Sequence, residues 1–142
     1  MNDGDVALDM GGAILFRKGG YKISQRAGYL GFAWNFPMPE AWFIIGYPNE
    51  APFGGQKQII CASSFAYVDA SYAPPTVGAG CDQTGGATGG PWIKGFSGGA
   101  GFTNYLNGNT SYRYVGNPLE LYSPYFDDAA KAFRDTLVAD HP

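Results

Sequence analysis

The most informative stretch of the sequence is Cys81-Asp82-Gln83-Thr84-Gly85-Gly86-Ala87-Thr88-Gly89-Gly90-Pro91-Trp92, called here the glycine-rich loop. Two pairs of glycines flank Ala87 and Thr88, and glycine adopts backbone angles that other residues rarely reach. Such a loop allows neighbouring backbone N–H groups to converge, as in an anion nest or an oxyanion hole. The simpler alternative is a tight turn that leaves the Thr88 hydroxyl in solvent. A phosphate-binding loop is excluded, because that motif needs Gly-Lys-Ser/Thr before a helix.

The composition around this loop is typical of an all-β domain. The 142 residues include 22 Gly and 10 Pro, and only 15% are charged. These values exclude a coiled coil and a helical bundle, and the length suits a single domain over residues 1–142. The net charge of −3 argues against nucleic-acid binding, and no run of about 18 apolar residues indicates a membrane span.

Short apolar runs separated by turn residues predict the strands. Residues 6–8 and 13–16, separated by two glycines, are predicted to form a hairpin or two consecutive strands. Two strands are predicted within 58–67, and residues 73–90 contain too much Gly and Pro for a regular element. The other predicted strands lie within 28–34, 41–47, 91–96 and 105–114.

One amphipathic helix is predicted at the C-terminal end. Ser123 can cap it, Pro124 suits its first turn, and Asp127 and Asp128 lie near the positive end of its dipole. The apolar residues at helical spacing are Phe126, Ala129, Ala130, Phe133 and Leu137. We expect this helix to dock on the β body.

The glycine-rich loop resembles the nucleophile loop of trypsin-like serine peptidases of the chymotrypsin fold. It is most similar to a secreted microbial branch, whose loop reads Cys-Asp-x-Thr-Gly-Gly-Ser-Ser-Gly-Gly-Pro-Trp. The resemblance places Thr88 at the catalytic serine position and implies that the Gly86 and Thr88 N–H groups form the oxyanion hole. It also implies a mainly β fold, in which an antiparallel six-stranded β-barrel, the second barrel of that fold, is followed by a C-terminal α-helix.

The resemblance extends beyond this loop. Residues 106–112 resemble the strand that pairs with the substrate backbone, which places Ser111, Tyr112 and Arg113 at its substrate-facing end. The C-terminal helix matches that of the family.

The N-terminal residues 2–8 resemble the segment around the triad aspartate. Asp5 is the better match because it directly precedes the apolar run, and Asp3 is the alternative. In the family a histidine precedes this aspartate, but the one histidine here is His141. We therefore expect most of the first, histidine-bearing barrel to lie on a missing or separate segment. Thr88 departs from the family too, since its methyl group restricts the side chain and crowds the path of attack.

The resemblance implies a serine-type endopeptidase that is inactive or incomplete as this chain. One alternative is a non-catalytic relative that binds peptides or a protein partner, and another is a β-barrel interaction module. The expected partners are a peptide or protein substrate, with a histidine-bearing barrel or a second copy covering an apolar face. Aromatic residues of 29–34 and 42–47 are candidates for that face. The resemblance implies an extracellular protein, although the acidic start is unlike a secretory signal.

Cys61 and Cys81 are separated by 20 positions. In a secreted protein they would form a disulfide, whereas in the cytosol free buried thiols are more common. We favour a disulfide that ties the glycine-rich loop to the preceding strand. A single histidine argues against a zinc site, and no metal or cofactor is expected.

Overall fold

A seven-stranded sheet and a C-terminal helix form the body of the chain. The computed structural model describes residues 6–97 and 104–139. A 3-10 turn (Val6–Leu8) and a short helix α1 (Ser24–Ala27) precede the sheet, and the helix α2 (Asp128–Ala139) follows it. The strands are β1 (Gly31–Phe32), β2 (Ala41–Gly46), β3 (Ile59–Asp69), β4 (Thr76–Gly80), β5 (Pro91–Lys94), β6 (Tyr105–Asn109) and β7 (Glu120–Ser123).

The strand order is β1-β6-β5-β2-β3-β4-β7, and every pair is antiparallel except β1 with β6. The mainly β prediction is confirmed, but the predicted six-stranded antiparallel barrel is not, because the sheet is open, mixed and seven-stranded. β6 ends at Asn109, since Thr110 turns to exchange backbone hydrogen bonds with the glycine-rich loop. An isolated bridge between Tyr112 and Tyr122 joins the chain after β6 to β7.

Several strand predictions were wrong in their details. Residues 6–8 form a 3-10 turn and residues 13–16 form no strand, so neither the predicted hairpin nor two consecutive strands form in this region. Residues 58–67 contribute to one strand of 11 residues instead of two. β4 lies inside the segment expected to be irregular. Its small residues are buried, and Gly78 leaves room for the Tyr122 ring, which would lie 3.2 Å from a Cβ at that position.

Two tryptophans organise the core between the strands. The Trp42 and Trp92 rings lie 5.3 Å apart and are almost completely buried. Each indole N–H finds an acceptor: the Asn107 side-chain oxygen at 3.2 Å and the Thr110 hydroxyl at 3.1 Å. Their apolar area is therefore buried without an unsatisfied donor. The other buried members of this core are Ile44, Val77, Ala79, Cys81 and Leu121. Because Trp42 and Ile44 lie in the core, most of 42–47 cannot form the predicted exposed face.

The C-terminal helix forms as predicted, but its cap differs. The Asp127 carboxylate accepts the N–H groups of Ala129 at 2.8 Å and Ala130 at 3.3 Å, which makes Asp127 the capping side chain. Ser123 is instead the last residue of β7, and its hydroxyl accepts a backbone N–H from β6 at 2.9 Å. The Ser123 hydroxyl, which was predicted to cap the helix, therefore takes part in the hydrogen bonding of the sheet. Within the described residues, no helix has the length and apolar character needed to span a membrane.

Candidate active site

The glycine-rich loop is held in place by two of its own side chains. A disulfide joins Cys61 of β3 to Cys81, with 5.6 Å between their Cα atoms, which confirms the predicted bond. The Gln83 side chain is fully buried, and its Nε2 donates to the carbonyl oxygens of Ile44 and Ile59, each at 3.1 Å. These anchors fix the first part of the loop against β2 and β3, so that its tip can project.

The tip of the loop carries Thr88 at an exposed position. Thr88 is exposed, whereas its neighbour Ala87 is buried. Gly86 has a φ of 92°, and a Cβ there would come within 2.7 Å of the Asn49 side chain, so this position requires glycine. The N–H groups of Gly86 and Thr88 donate to no acceptor within residues 6–97 and 104–139.

The segment that follows β6 lies directly against this tip. Gly89 N–H donates to the Thr110 carbonyl oxygen, and Thr110 N–H donates to the Gly90 carbonyl oxygen, both at 2.8 Å. Ser111, Tyr112 and Arg113 come next and are all partly buried. The structure thus brings the predicted substrate-facing residues beside the loop that carries Thr88.

A carboxylate that the sequence analysis missed reaches this segment. The Ser111 hydroxyl donates to Asp9 Oδ2 at 2.6 Å, and the Asn109 side-chain amide donates to the Asp9 carbonyl oxygen at 3.1 Å. The predicted Asp5 and its alternative Asp3 lie outside the described residues. Asp9 directly follows the same apolar run that Asp5 precedes, and this proximity was the only sequence signal for it.

Glu50 is a second carboxylate that the sequence analysis missed. Its Oε2 atom accepts the Gly85 N–H at 3.2 Å and lies 3.4 Å from Arg113 Nη2. The Thr84 hydroxyl also donates to the Glu50 carbonyl oxygen at 2.9 Å. The Glu50 side chain is 62% exposed, so the ion pair adds about 1 kcal/mol of stability at most. It places a carboxylate, partly offset by the Arg113 guanidinium, next to the tip of the loop.

A buried carboxylate orders the tyrosines behind the segment. Asp69 Oδ2 accepts the hydroxyls of Tyr112 and Tyr114, each at 2.7 Å, and its Oδ1 accepts the Ser71 N–H at 3.0 Å. The Thr76 hydroxyl lies 2.7 Å from the Tyr112 oxygen, to which it must donate, because the phenol proton is already given to Asp69. Burial raises the pKa of Asp69, but the bonds to the tyrosines and Ser71 outweigh it and hold the pKa at about 2. Burial and the neighbouring carboxylate raise the pKa of Tyr112.

No protein-family model matches the chain, and no curated protein is similar to it. Two solved structures are similar to the chain. A thermostable serine protease, AL20, from an extremophilic microorganism is 32% identical over 84% of this chain, with a TM-score of 0.68. The protease Anisep from Arthrobacter nicotinovorans is 28% identical over 87% of this chain, with a TM-score of 0.76. The chain has a serine-protease-like fold. It spans about half the length of these proteases, 53% and 55% respectively.

Compared with a complete serine-protease site, the described residues of this protease-like chain contain no histidine. The single histidine, His141, lies outside them. One group in the described part of the chain, Cys61, Cys81 and Asp82, is compact enough to hold a metal ion, with ligand atoms within 4.8 Å of one another. Its two sulfurs are joined in the disulfide, so they offer no thiolate ligands.

An apolar cavity of about 440 Å³ borders the site on the side of α2. Gly89 of the loop, Asn109 of β6 and residues 10–12 are among its lining residues. Its apolar lining comes mainly from Met10, Leu30, Phe32, Phe126, Phe133 and Leu137.

Proposed function

We propose that this chain is the C-terminal part of a serine-type endopeptidase fold, which carries the peptide-binding segment and the oxyanion hole. The observation that supports it most is the exposed Thr88 in a loop whose Gly86 and Thr88 N–H groups donate to no described acceptor. This loop is hydrogen-bonded to Thr110, directly before Ser111. The similarity to two proteases over about half of their length supports the same conclusion. As a separate chain we expect it to be inactive.

Each residue of the site has a definite role in this proposal. The Thr88 oxygen, at the serine position, would attack the peptide carbonyl once a base accepts its proton. The N–H groups of Gly86 and Thr88 would then stabilise the oxyanion. Residues 111–113 would hold the substrate backbone, and Asp5 would orient the base. The histidine that serves as base would come from a barrel on another segment or another chain. This histidine would then return the proton to the leaving amine.

A second candidate function, a non-catalytic peptide-binding relative, is favoured by Glu50. Its carboxylate accepts the N–H of Gly85, next to the proposed oxyanion donor Gly86. A carboxylate at this point, although partly offset by the Arg113 guanidinium, opposes a developing oxyanion, whereas it does not prevent binding of a neutral peptide carbonyl. The methyl group of Thr88 acts in the same direction by restricting the hydroxyl.

An extracellular location is part of the proposal. The disulfide between Cys61 and Cys81 is stable in an oxidising compartment, which supports this location.

The test is hydrolysis of peptide esters and amides by the wild-type chain, by Thr88→Ser, and by Thr88→Ser mixed with a histidine-bearing barrel from a related protease. We expect no turnover from either chain alone, because loss of the base costs on the order of 10⁶ in rate. Turnover is expected only from the mixture. Robust turnover by a chain alone, abolished by Thr88→Ala, would show that the proposal has missed the base.

Calorimetry with peptides whose C-terminus is amidated, so that they offer neutral carbonyl groups, separates the two candidate functions when it is combined with the activity of the mixture. Both predict binding that Gly86→Ala weakens, since a Cβ at Gly86 would meet the Asn49 side chain. Thr136→Ala, at an exposed hydroxyl on α2, is the matched control and is expected to bind normally. Binding without activity in the mixture would favour the non-catalytic relative. Absence of peptide binding would contradict both.

A further inference from the structure

The segment 15–26, called here the basic arm, differs in charge from the rest of the chain. Residues 10–39 contain four of the nine Lys and Arg residues and none of the twelve Asp and Glu residues, a net charge of +4. The remaining residues therefore carry a net charge of −7. The four cations are Arg17, Lys18, Lys22 and Arg26, and all of them lie in the basic arm.

None of these cations is neutralised by the described part of the chain. All four side chains are exposed, and none makes an ion pair with another described residue. Arg26 instead stacks over the Tyr21 ring, with its guanidinium carbon 4.0 Å from the ring centre. The charges therefore add to one positive field.

The basic arm also exposes large apolar side chains. Leu15 is 69% exposed, Phe16 81% and Ile23 57%. A bridge between Lys18 and Tyr21 folds the chain back, and α1 follows at once, so that a groove of about 410 Å³ opens between the two. The groove is lined by Leu15, Phe16, Tyr21 and Ile23, with Lys18, Lys22 and Arg26 around it.

We propose that the basic arm binds an acidic segment of a partner protein that inserts an apolar side chain into this groove. The cations supply electrostatic complementarity to carboxylates, and the exposed apolar walls supply area for a side chain to bury. A concave groove suits a single inserted side chain better than a flat lipid surface, which is bound by a protruding apolar face. The arm shares no residue with the proposed peptide-binding segment, so the two functions are independent.

Fluorescence anisotropy with a labelled peptide, one phenylalanine flanked by glutamates, tests the proposal. We expect saturable binding that weakens as salt is added, because exposed charges are screened beyond roughly 8 Å at physiological ionic strength. Charge reversal in Lys18→Glu/Lys22→Glu is expected to weaken binding roughly tenfold or more. Leu15→Ser, which changes only the apolar wall, should also weaken it. Lys57→Glu reverses an exposed lysine outside the arm and is expected to bind normally.

Several outcomes would overturn the inference. These are equal binding of a lysine-flanked peptide, equal binding of a peptide with alanine in place of phenylalanine, or the same loss in Lys57→Glu as in the arm variant. Binding of anionic vesicles, or self-association of the chain, without binding of the acidic peptide would assign the arm to a membrane or to a second copy. Circular dichroism of each variant shows whether a loss of binding reflects unfolding. Loss in a folded Lys18→Glu/Lys22→Glu variant supports the proposal.

Discussion

Replacement of Asp69 by asparagine is expected to destabilise the protein in a pH-dependent way. The carboxylate is 7% exposed and accepts the hydroxyls of Tyr112 and Tyr114 together with the Ser71 N–H. Burial alone would raise its pKa, but these bonds lower it from 3.8 to about 2. At 1.36 kcal/mol per pKa unit, the lowered pKa corresponds to roughly 2–3 kcal/mol of stability at neutral pH.

The sign of the pH dependence follows from the direction of this shift. The folded protein holds the Asp69 proton less tightly than the unfolded chain, so the free energy of unfolding rises with pH across this range. The contribution is complete well above pH 3.8 and is lost as the pH falls through about 2. The asparagine side chain of the variant cannot titrate. Its amide group also places N–H donors against the Tyr112 and Tyr114 hydroxyls, which already act as donors at this position. The stability difference between the two proteins should therefore be largest at neutral pH and shrink as the pH falls toward 2.

The measurement is urea unfolding followed by tryptophan fluorescence, from neutral pH down to about pH 2, with the disulfide intact. Tyr112→Phe removes one hydroxyl donor to the charged group and should cost about 1.5–3 kcal/mol at neutral pH. Asp82→Asn changes an exposed carboxylate in the glycine-rich loop and serves as the matched control. A stability difference for Asp69→Asn that stays constant across this pH range would refute the reasoning, because it would place the cost in packing.

Three further predictions concern the anchors of the site. Removal of the disulfide by Cys61→Ala/Cys81→Ala should lower the free energy of unfolding, measured in urea, by about 3 kcal/mol, because the bond closes a loop whose ends are 20 positions apart. An unchanged urea midpoint would contradict this. Gly90→Ala should lower the melting temperature and weaken peptide binding, since a Cβ there would overlap the Ile45 carbonyl oxygen. If Gly90→Ala melts like the wild type, the close approach is wrong. Trp92→Ala should cost about 3–5 kcal/mol in the same unfolding assay, as expected for a large aromatic removed from a core; a loss below about 1 kcal/mol would show that its surroundings collapse or that it is not buried.

Local patterns in the sequence were sufficient for much of the fold. The apolar run at 41–47 predicted β2, and the C-terminal spacing predicted α2. These elements are encoded locally, since a continuous apolar run indicates a buried strand and apolar residues at helical spacing indicate an amphipathic helix. β4 was missed because its two glycines and small residues carry no such period; it is a strand because β3 and β7 pair with it on both sides.

The same division holds for the site. The spacing of glycines around Thr88 identified the loop, and the structure places this residue at an exposed tip. The carboxylates around it could not be identified in this way. Glu50 reaches Gly85 across 35 positions, and Asp9 reaches Ser111 across 102. The sequence contains many acidic residues that are equally suitable by composition, and only the tertiary contacts select among them.

The distribution of charge shows most clearly what the sequence determines and what the tertiary structure determines. The amino-acid order alone sets the net charge of −3 and the run without acidic residues at 10–39. Whether a given cation is neutralised depends on the folded chain. The four cations of the basic arm form no ion pair with another described residue. In contrast, Lys94 pairs with Glu40, and Lys131 pairs with Asp135. Neutralisation requires two side chains within about 4 Å. For Lys94 and Glu40, which are 54 positions apart, that distance is set by the packing of elements distant along the chain, which no local pattern encodes.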